Sequence, residues 1–163
     1  MGTIRSGVGG LGLLFVSGLV LAADPAPNPP VGHCVAADQA KREIIDVVEK
    51  MYAALQLDSI DDFKAQVAAG YYAFDGGARF SAESLVALIK QLHGSGMKFE
   101  WTVTEPDVHV SCNQAWLTYV NRGSVENASG RTATTWLESA QLERVDGKWR
   151  IQFFHSTEVP IKP

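Results

Sequence analysis

The sequence predicts an α+β domain in which helices come first and a curved antiparallel sheet follows. Three observations carry this. Apolar residues recur at helical spacing between Asp38 and Leu57 and again from Leu85 to Leu92. Beyond Gly96 they alternate with polar ones, as in Phe99, Trp101 and Val103 against Glu100, Thr102 and Thr104. Finally Asp146-Gly147, a preferred pair for a two-residue type I′ turn, separates two long runs of strand character. Helices followed by a meander make an α+β plan with the sheet wrapped around the helices.

The chain opens on Arg5 and an apolar run from Leu11 to Leu21, closed by small residues. This pattern predicts a secretory signal peptide over residues 1–23, cleaved after Ala22 or Ala23, since the run is short for a membrane span. No Cys stands where a lipoprotein signal needs one, so the expectation is a soluble exported protein, periplasmic or secreted, with no membrane contact after cleavage. Residues 24–34 form a linker, with four prolines between Asp24 and Pro30. The domain proper then spans residues 35–161.

At 163 residues with 46% apolar and 20% charged side chains, the chain has the composition of one globular domain. Its formal charge is −4, and loss of Arg5 with the leader makes it more acidic. Lacking any Lys/Arg cluster, such a surface repels phosphate, which argues against a nucleic-acid partner. Cys34 and Cys112 are the two cysteines. In an oxidising compartment they either pair, adding about 4 kcal/mol in the chain-entropy model, or remain two thiols; the Cα separation decides.

The first helix buries Ile44, Ile45, Val48, Met51, Tyr52 and Leu55. Asp58 and Ser59 cap a shorter helix through Phe63 and Val67, stopped by Gly70, with Asp61 and Asp62 favoured by the dipole of its first turn. Tyr71 to Phe80 folds as a ribbon at Asp75-Gly76-Gly77, Ser81 caps the third helix, and Gly94 to Gly96 end it. A long strand bulged near Glu105-Pro106 comes next, then a turn over Ser111 to Gln114, a strand from Ala115 to Val125, and a polar loop over Glu126 to Gly130. That loop carries a glycosylation sequon, Asn127-Ala128-Ser129.

The Asp146-Gly147 turn also sets a register for the last hairpin. Regular pairing places Trp149 opposite Arg144, Ile151 opposite Leu142, Phe153 opposite Ala140 and His155 opposite Glu138, all on one face. Glu143 with Arg150, Gln141 with Gln152 and Ser139 with Phe154 fall on the other, where Phe154 and Leu137 make a modest apolar patch. On this register Glu138 and His155 end an apolar stripe, about 5 Å apart at Cβ, so the carboxylate could orient the imidazole as a general base. Equally, the pair could be a structural dyad that satisfies two polar groups.

Several motifs are similar to one family. Trp136-Leu137-Glu138-Ser139-Ala140, Trp149-Arg150-Ile151, Phe153-Phe154-His155-Ser156-Thr157, and Ala115-Trp116 with Tyr119, Asn121 and Gly123-Ser124 resemble the nuclear transport factor 2-like superfamily, nearest its SnoaL-like group and related domains of unknown function. The resemblance covers Val35 to Ile161. It implies a cone-shaped half-barrel, three N-terminal helices packed in a curved antiparallel sheet, with a cavity at the open end and frequent homodimers through the outer sheet face. It also permits the His-carboxylate arrangement that dehydratases of the superfamily combine with tyrosines.

Tyr71, Tyr72 and Asp75 fall in the ribbon that closes the cavity in this fold. A steroid-isomerase-like site would want an Asp base and a Tyr donor, although Asp before Gly-Gly is what turn geometry selects on its own. Trp101, Tyr119 and Trp136 could line a pocket for a flat molecule, or simply fill the core; whether Tyr119 or Trp116 faces inward stays open. His33, His93 and His109 lack zinc spacing, and no cofactor fingerprint occurs, so neither metal nor cofactor is expected. The leading expectation is a domain that binds a small, largely apolar molecule without turnover. A cofactor-free isomerase, cyclase or dehydratase using His155 is the second, and a dimerisation module the third.

Overall fold

The computed structural model describes Gly2, Cys34 and residues 36–160. The expected signal peptide and linker, apart from Gly2 and Cys34, lie outside the described residues. The chain divides between Gly32 and His33, and the fold occupies the second unit. No described helix is long and apolar enough to cross a membrane.

Helix α1 (Ala37–Gln56) buries the stripe read from its periodicity, including Ile44, Val48, Met51, Tyr52 and Leu55. Ser59 caps α2 (Ile60–Lys64) by accepting from the Asp62 amide. This helix is shorter than expected: Val67 and Gly70 already belong to β1 (Val67–Asp75), because the buried Val67 aligns with Ile151 in the sheet. Around Gly76-Gly77, both at positive φ, β1 turns into β2 (Ala78–Phe80) as the turn signature required. A capping box between Ser81 and Ser84 starts α3 (Ala82–Gly94), which buries Leu85, Val86 and Ile89.

The expected long strand comes in two pieces, β3 (Lys98–Glu100) and β4 (Val103–Ser111), both antiparallel to β5 (Gln114–Asn127). A register shift between Thr104 and Asp107 is the anticipated bulge at Glu105-Pro106. The additional break at Trp101-Thr102 has its own causes. Asn121 accepts from the Thr102 amide through its side chain, 2.8 Å, and the Glu100 carbonyl crosses so close to Gly123 that a Cβ there would sit 1.8 Å from it. Strands β6 (Gly130–Val145) and β7 (Lys148–Glu158) complete the sheet, in the order β2-β1-β7-β6-β5-β3, with β4 also on β5.

Among the described residues, seven strands and three helices give the α+β class, with one departure from the expected plan. The sheet is mixed, because β1 runs parallel to β7; helices rather than a hairpin deliver β1 to that edge, so nothing constrains it to run antiparallel. The β1–β2 hairpin stands between the second and third helices, where the sequence places the Tyr71 to Phe80 ribbon, so the three helices do not form one uninterrupted N-terminal block. Cys34 and Cys112 form a disulfide, Cα atoms 4.7 Å apart, tying the chain ahead of α1 to the β4–β5 turn. Closing a loop of 78 residues contributes about 4 kcal/mol in the chain-entropy model.

The last hairpin overturns half of its expected register. Arg144 pairs with Trp149 and Leu142 with Ile151, as the turn dictates; then Gln152 bulges out, and Gln141 pairs with Phe153, Ala140 with Phe154, Ser139 with His155 and Glu138 with Ser156. The extra residue exchanges the faces of everything beyond it. Phe154 is therefore buried, not on the outer face, and Phe153 and His155 look outward beside Phe74.

Candidate active site and ligand cavity

The helices cover one face of the sheet, and between them and the sheet lies a cavity of about 270 Å³. Leu55, Leu88, Leu92 and Val125 supply aliphatic wall, and Phe99, Trp101, Trp136 and Phe154 supply aromatic wall. Trp101 stacks between Phe99 and Tyr52, with ring centroids 5.3 and 5.4 Å away, so its plane is fixed from both sides. The polar lining is Tyr52, Asp75, Glu138, Ser156 and Glu158.

Glu138 is the centre of a buried network. Alternation along β6 turns it inward with Trp136, Ala140 and Leu142. Its Oε2 accepts from Tyr52 Oη and from Asn121 Nδ2 at 3.1 Å, and its Oε1 accepts from Ser156 Oγ at 3.0 Å. Because Tyr52 donates its proton to Glu138, Tyr119 donates to Tyr52 across 2.9 Å. Asn121 spans both ends of this arrangement: its carbonyl holds the Thr102 amide at the strand break while its amide holds the carboxyl.

The electrostatics follow from burial. Desolvation pushes the Glu138 carboxyl above its ordinary range, against the pull of the hydrogen bonds from Tyr52, Ser156, Asn121 and Tyr119. Tyr52 is pushed well up by burial and by Tyr119 and Glu138, and Tyr119 by burial and Glu138 against the pull of its hydrogen bond with Tyr52, so both remain neutral donors. Asp75 is raised by burial and by Glu158, opposed by the Gly76 amide and by His155. A buried carboxyl with a raised pKa beside a neutral tyrosine can hold a polar ligand group or exchange a proton with it.

Placement of the expected residues is mixed. Asp75, Trp101, Trp136 and Glu138 line the cavity; Tyr119 faces inward and reaches it through Tyr52, which leaves Trp116 outward and half-exposed. Tyr71 is buried edge-on to Phe63, its hydroxyl without a partner among the described residues, and does not line the cavity. His155 does not meet Glu138. It lies on the outer face, where it contacts Phe74, Phe153 and Thr157, because the Gln152 bulge reverses its side chain. The Glu138–His155 dyad does not form, and the base–orienter arrangement has no basis in this fold.

Sequence reading missed Tyr52 and Ser156 as site residues. Tyr52 passed as one more member of the α1 stripe, yet a hydroxyl in a buried stripe has to find a partner. Asn121 carried a similar signal, an amide two residues from Tyr119 at an inward position of a central strand. Among the described residues, no group of three metal-ligating side chains converges.

No family model and no curated protein matches the sequence. Solved structures do match in fold. A provisionally named dehydratase of the nuclear transport factor 2-like family from Streptomyces avermitilis aligns with a TM-score of 0.66 at 9% identity, over 77% of this chain and 100% of that one. A provisionally named ketosteroid isomerase from Shewanella frigidimarina aligns at 0.59 and 19% identity, over 71% and 94%. The association domain of C. elegans CaMKII aligns at 0.61 and 15% identity, over 74% and 96%. The chain thus has the nuclear transport factor 2-like fold, which carries catalytic, binding and assembly roles alike.

Proposed function

We propose that this chain is an exported domain that holds a small, largely apolar molecule in the cavity between helices and sheet, without turnover. The observation that carries this is the cavity itself, whose aromatic and aliphatic walls end at a carboxyl already engaged by three donors. Such a carboxyl serves as a fixed polar anchor better than as a free base. Export is supported by the leader pattern and by a disulfide that suits an oxidising compartment.

A second reading, a cofactor-free isomerase, cyclase or dehydratase, is favoured by the raised pKa of Glu138 beside the Tyr52–Tyr119 pair. In that case Glu138, not His155, moves the proton. Homo-oligomerisation through the outer sheet face is supported by Phe74, Trp116 and Leu137, which remain 44%, 50% and 55% exposed. Sedimentation of the protein across a concentration series tests it.

Tryptophan emission tests the binding reading, because Trp101 and Trp136 both line the cavity. A saturable emission change with an apolar probe, lost when Leu88→Arg fills the cavity, is the expected result. Conversion of the probe to product, abolished in Glu138→Gln, would move the assignment to the enzyme.

A further inference from the structure

We propose that the molecule held in this cavity is an organic cation, a compact aromatic or alicyclic amine, with its apolar body on Trp101, Trp136 and Phe154 and its ammonium between Asp75 and Glu158. This rests on the binding reading above and names the class of ligand. The first support is the charge of the lining. Three carboxyl groups, Glu138, Asp75 and Glu158, face the cavity, and no Lys, Arg or His does. They are graded in depth: Glu138 is buried, Asp75 half-buried and Glu158 exposed. The deepest is satisfied by Tyr52, Asn121 and Ser156, whereas among the described residues no side chain hydrogen-bonds or ion-pairs with Asp75 or Glu158, and Asp75 accepts only from the Gly76 amide.

The second support is what each class of ligand does to those groups. A neutral apolar molecule would strip water from Asp75 and leave it only the Gly76 amide, which is costly for a charged group. An anion would add repulsion with no cationic donor to offset it. An ammonium at the rim supplies the missing counter-charge, and indole and phenyl faces below it attract positive charge through their quadrupoles. Asp75 and Glu158 line the same cavity, and the upward push that Glu158 exerts on Asp75 agrees with a pair that a single cation bridges. His155 sits on the opposite sheet face and does not line the cavity, although its charge acts on Asp75 from there.

Calorimetric titration of the whole protein with three probes of nearly one shape tests this: naphthylmethylamine, naphthylmethanol and naphthoate. The amine is expected to bind about tenfold tighter than the alcohol, on the scale of one cation–carboxylate or cation–π contact, with naphthoate not saturating. The double substitution Asp75→Asn with Glu158→Gln is expected to erase that preference while alcohol affinity stays within about twofold. Should Asp75→Asn disturb its turn, Glu158→Gln alone, at an exposed strand end, is expected to cost the amine about threefold and the alcohol nothing. Equal affinity for amine and alcohol, tighter naphthoate binding, or a preference that survives the substitutions overturns the cation assignment and leaves the apolar binder standing. Failure of all three probes to bind overturns both.

Discussion

From the Asp146-Gly147 turn to the Leu142–Ile151 pair, the β6–β7 hairpin pairs as turn geometry requires; beyond Gln152 it pairs one residue out of step. The near half places Trp149 and Ile151 in the core by local rules alone. The far half turns Ser156 inside and His155 outside because a bulge in β7 intervenes, while Glu138, on the unbroken β6, stays inside. A two-residue turn transmits register only through an unbroken ladder, since each paired residue inherits its face from the one before. One extra residue reverses the inheritance along β7, and here it decides that Ser156 rather than His155 enters the cavity beside Glu138.

The sharpest way to break this comparison is to truncate both side chains. Glu138→Ala is expected to cost about 3 kcal/mol, since it strands the buried donors of Tyr52, Asn121 and Ser156, whereas His155→Ala on the outer face should stay within about 0.5 kcal/mol. Urea unfolding measures both, and comparable losses would restore His155 to the interior. Next in size, Tyr52→Phe should cost about 1 to 2 kcal/mol in the same assay by removing one donor to a buried acceptor, and Ser156→Ala about 1 kcal/mol.

Deleting Gln152 sharpens the comparison further. The ladder would become continuous with the pairing seen here, Glu138 still opposite Ser156, so a loss of only about 1 kcal/mol is expected. Cross-strand amide contacts between Ala140 and Phe154, followed by nuclear magnetic resonance, check that the pairing persists. If the deletion instead unfolds the domain, the bulge does more than set the side.

The smallest effect is in pH. Burial raises the Glu138 carboxyl above its ordinary 4.5, so the folded state binds its proton more tightly than the unfolded chain does. This contribution to stability is complete below 4.5 and declines as pH rises through the raised folded value; Asp75, raised above 3.8, has the same sign. Unfolding free energies of Glu138→Gln should therefore fall less steeply than those of the parent protein between pH 4.5 and neutrality. A steeper fall in the variant would contradict the burial argument.

Much of the fold was legible because its cues are local. Ser59, Ser81, Gly76-Gly77 and Asp146-Gly147 act within a few residues of themselves, and each sits where its chemistry directs. The α1 stripe was legible for the same reason. Much of the site was not, because its members come from α1, β5, β6 and β7, far apart in the chain: Tyr52 reaches Glu138 across 86 residues and Tyr119 across 67. Glu138, Trp101 and Trp136 could be singled out, but their partners could not.

By itself, the sequence determined the element order, the turns, the inward face of the near hairpin and the presence of two cysteines able to pair. Tertiary structure decided the parallel placement of β1, the break that Asn121 and Gly123 impose on β3 and β4, the bulge at Gln152 and hence the occupants of the cavity. The physical reason is range. Caps, turns and periodicity lower the energy of a few adjacent residues, whereas a bulge or a buried carboxyl is tolerated only when distant groups supply its hydrogen bonds and fill the space beside it.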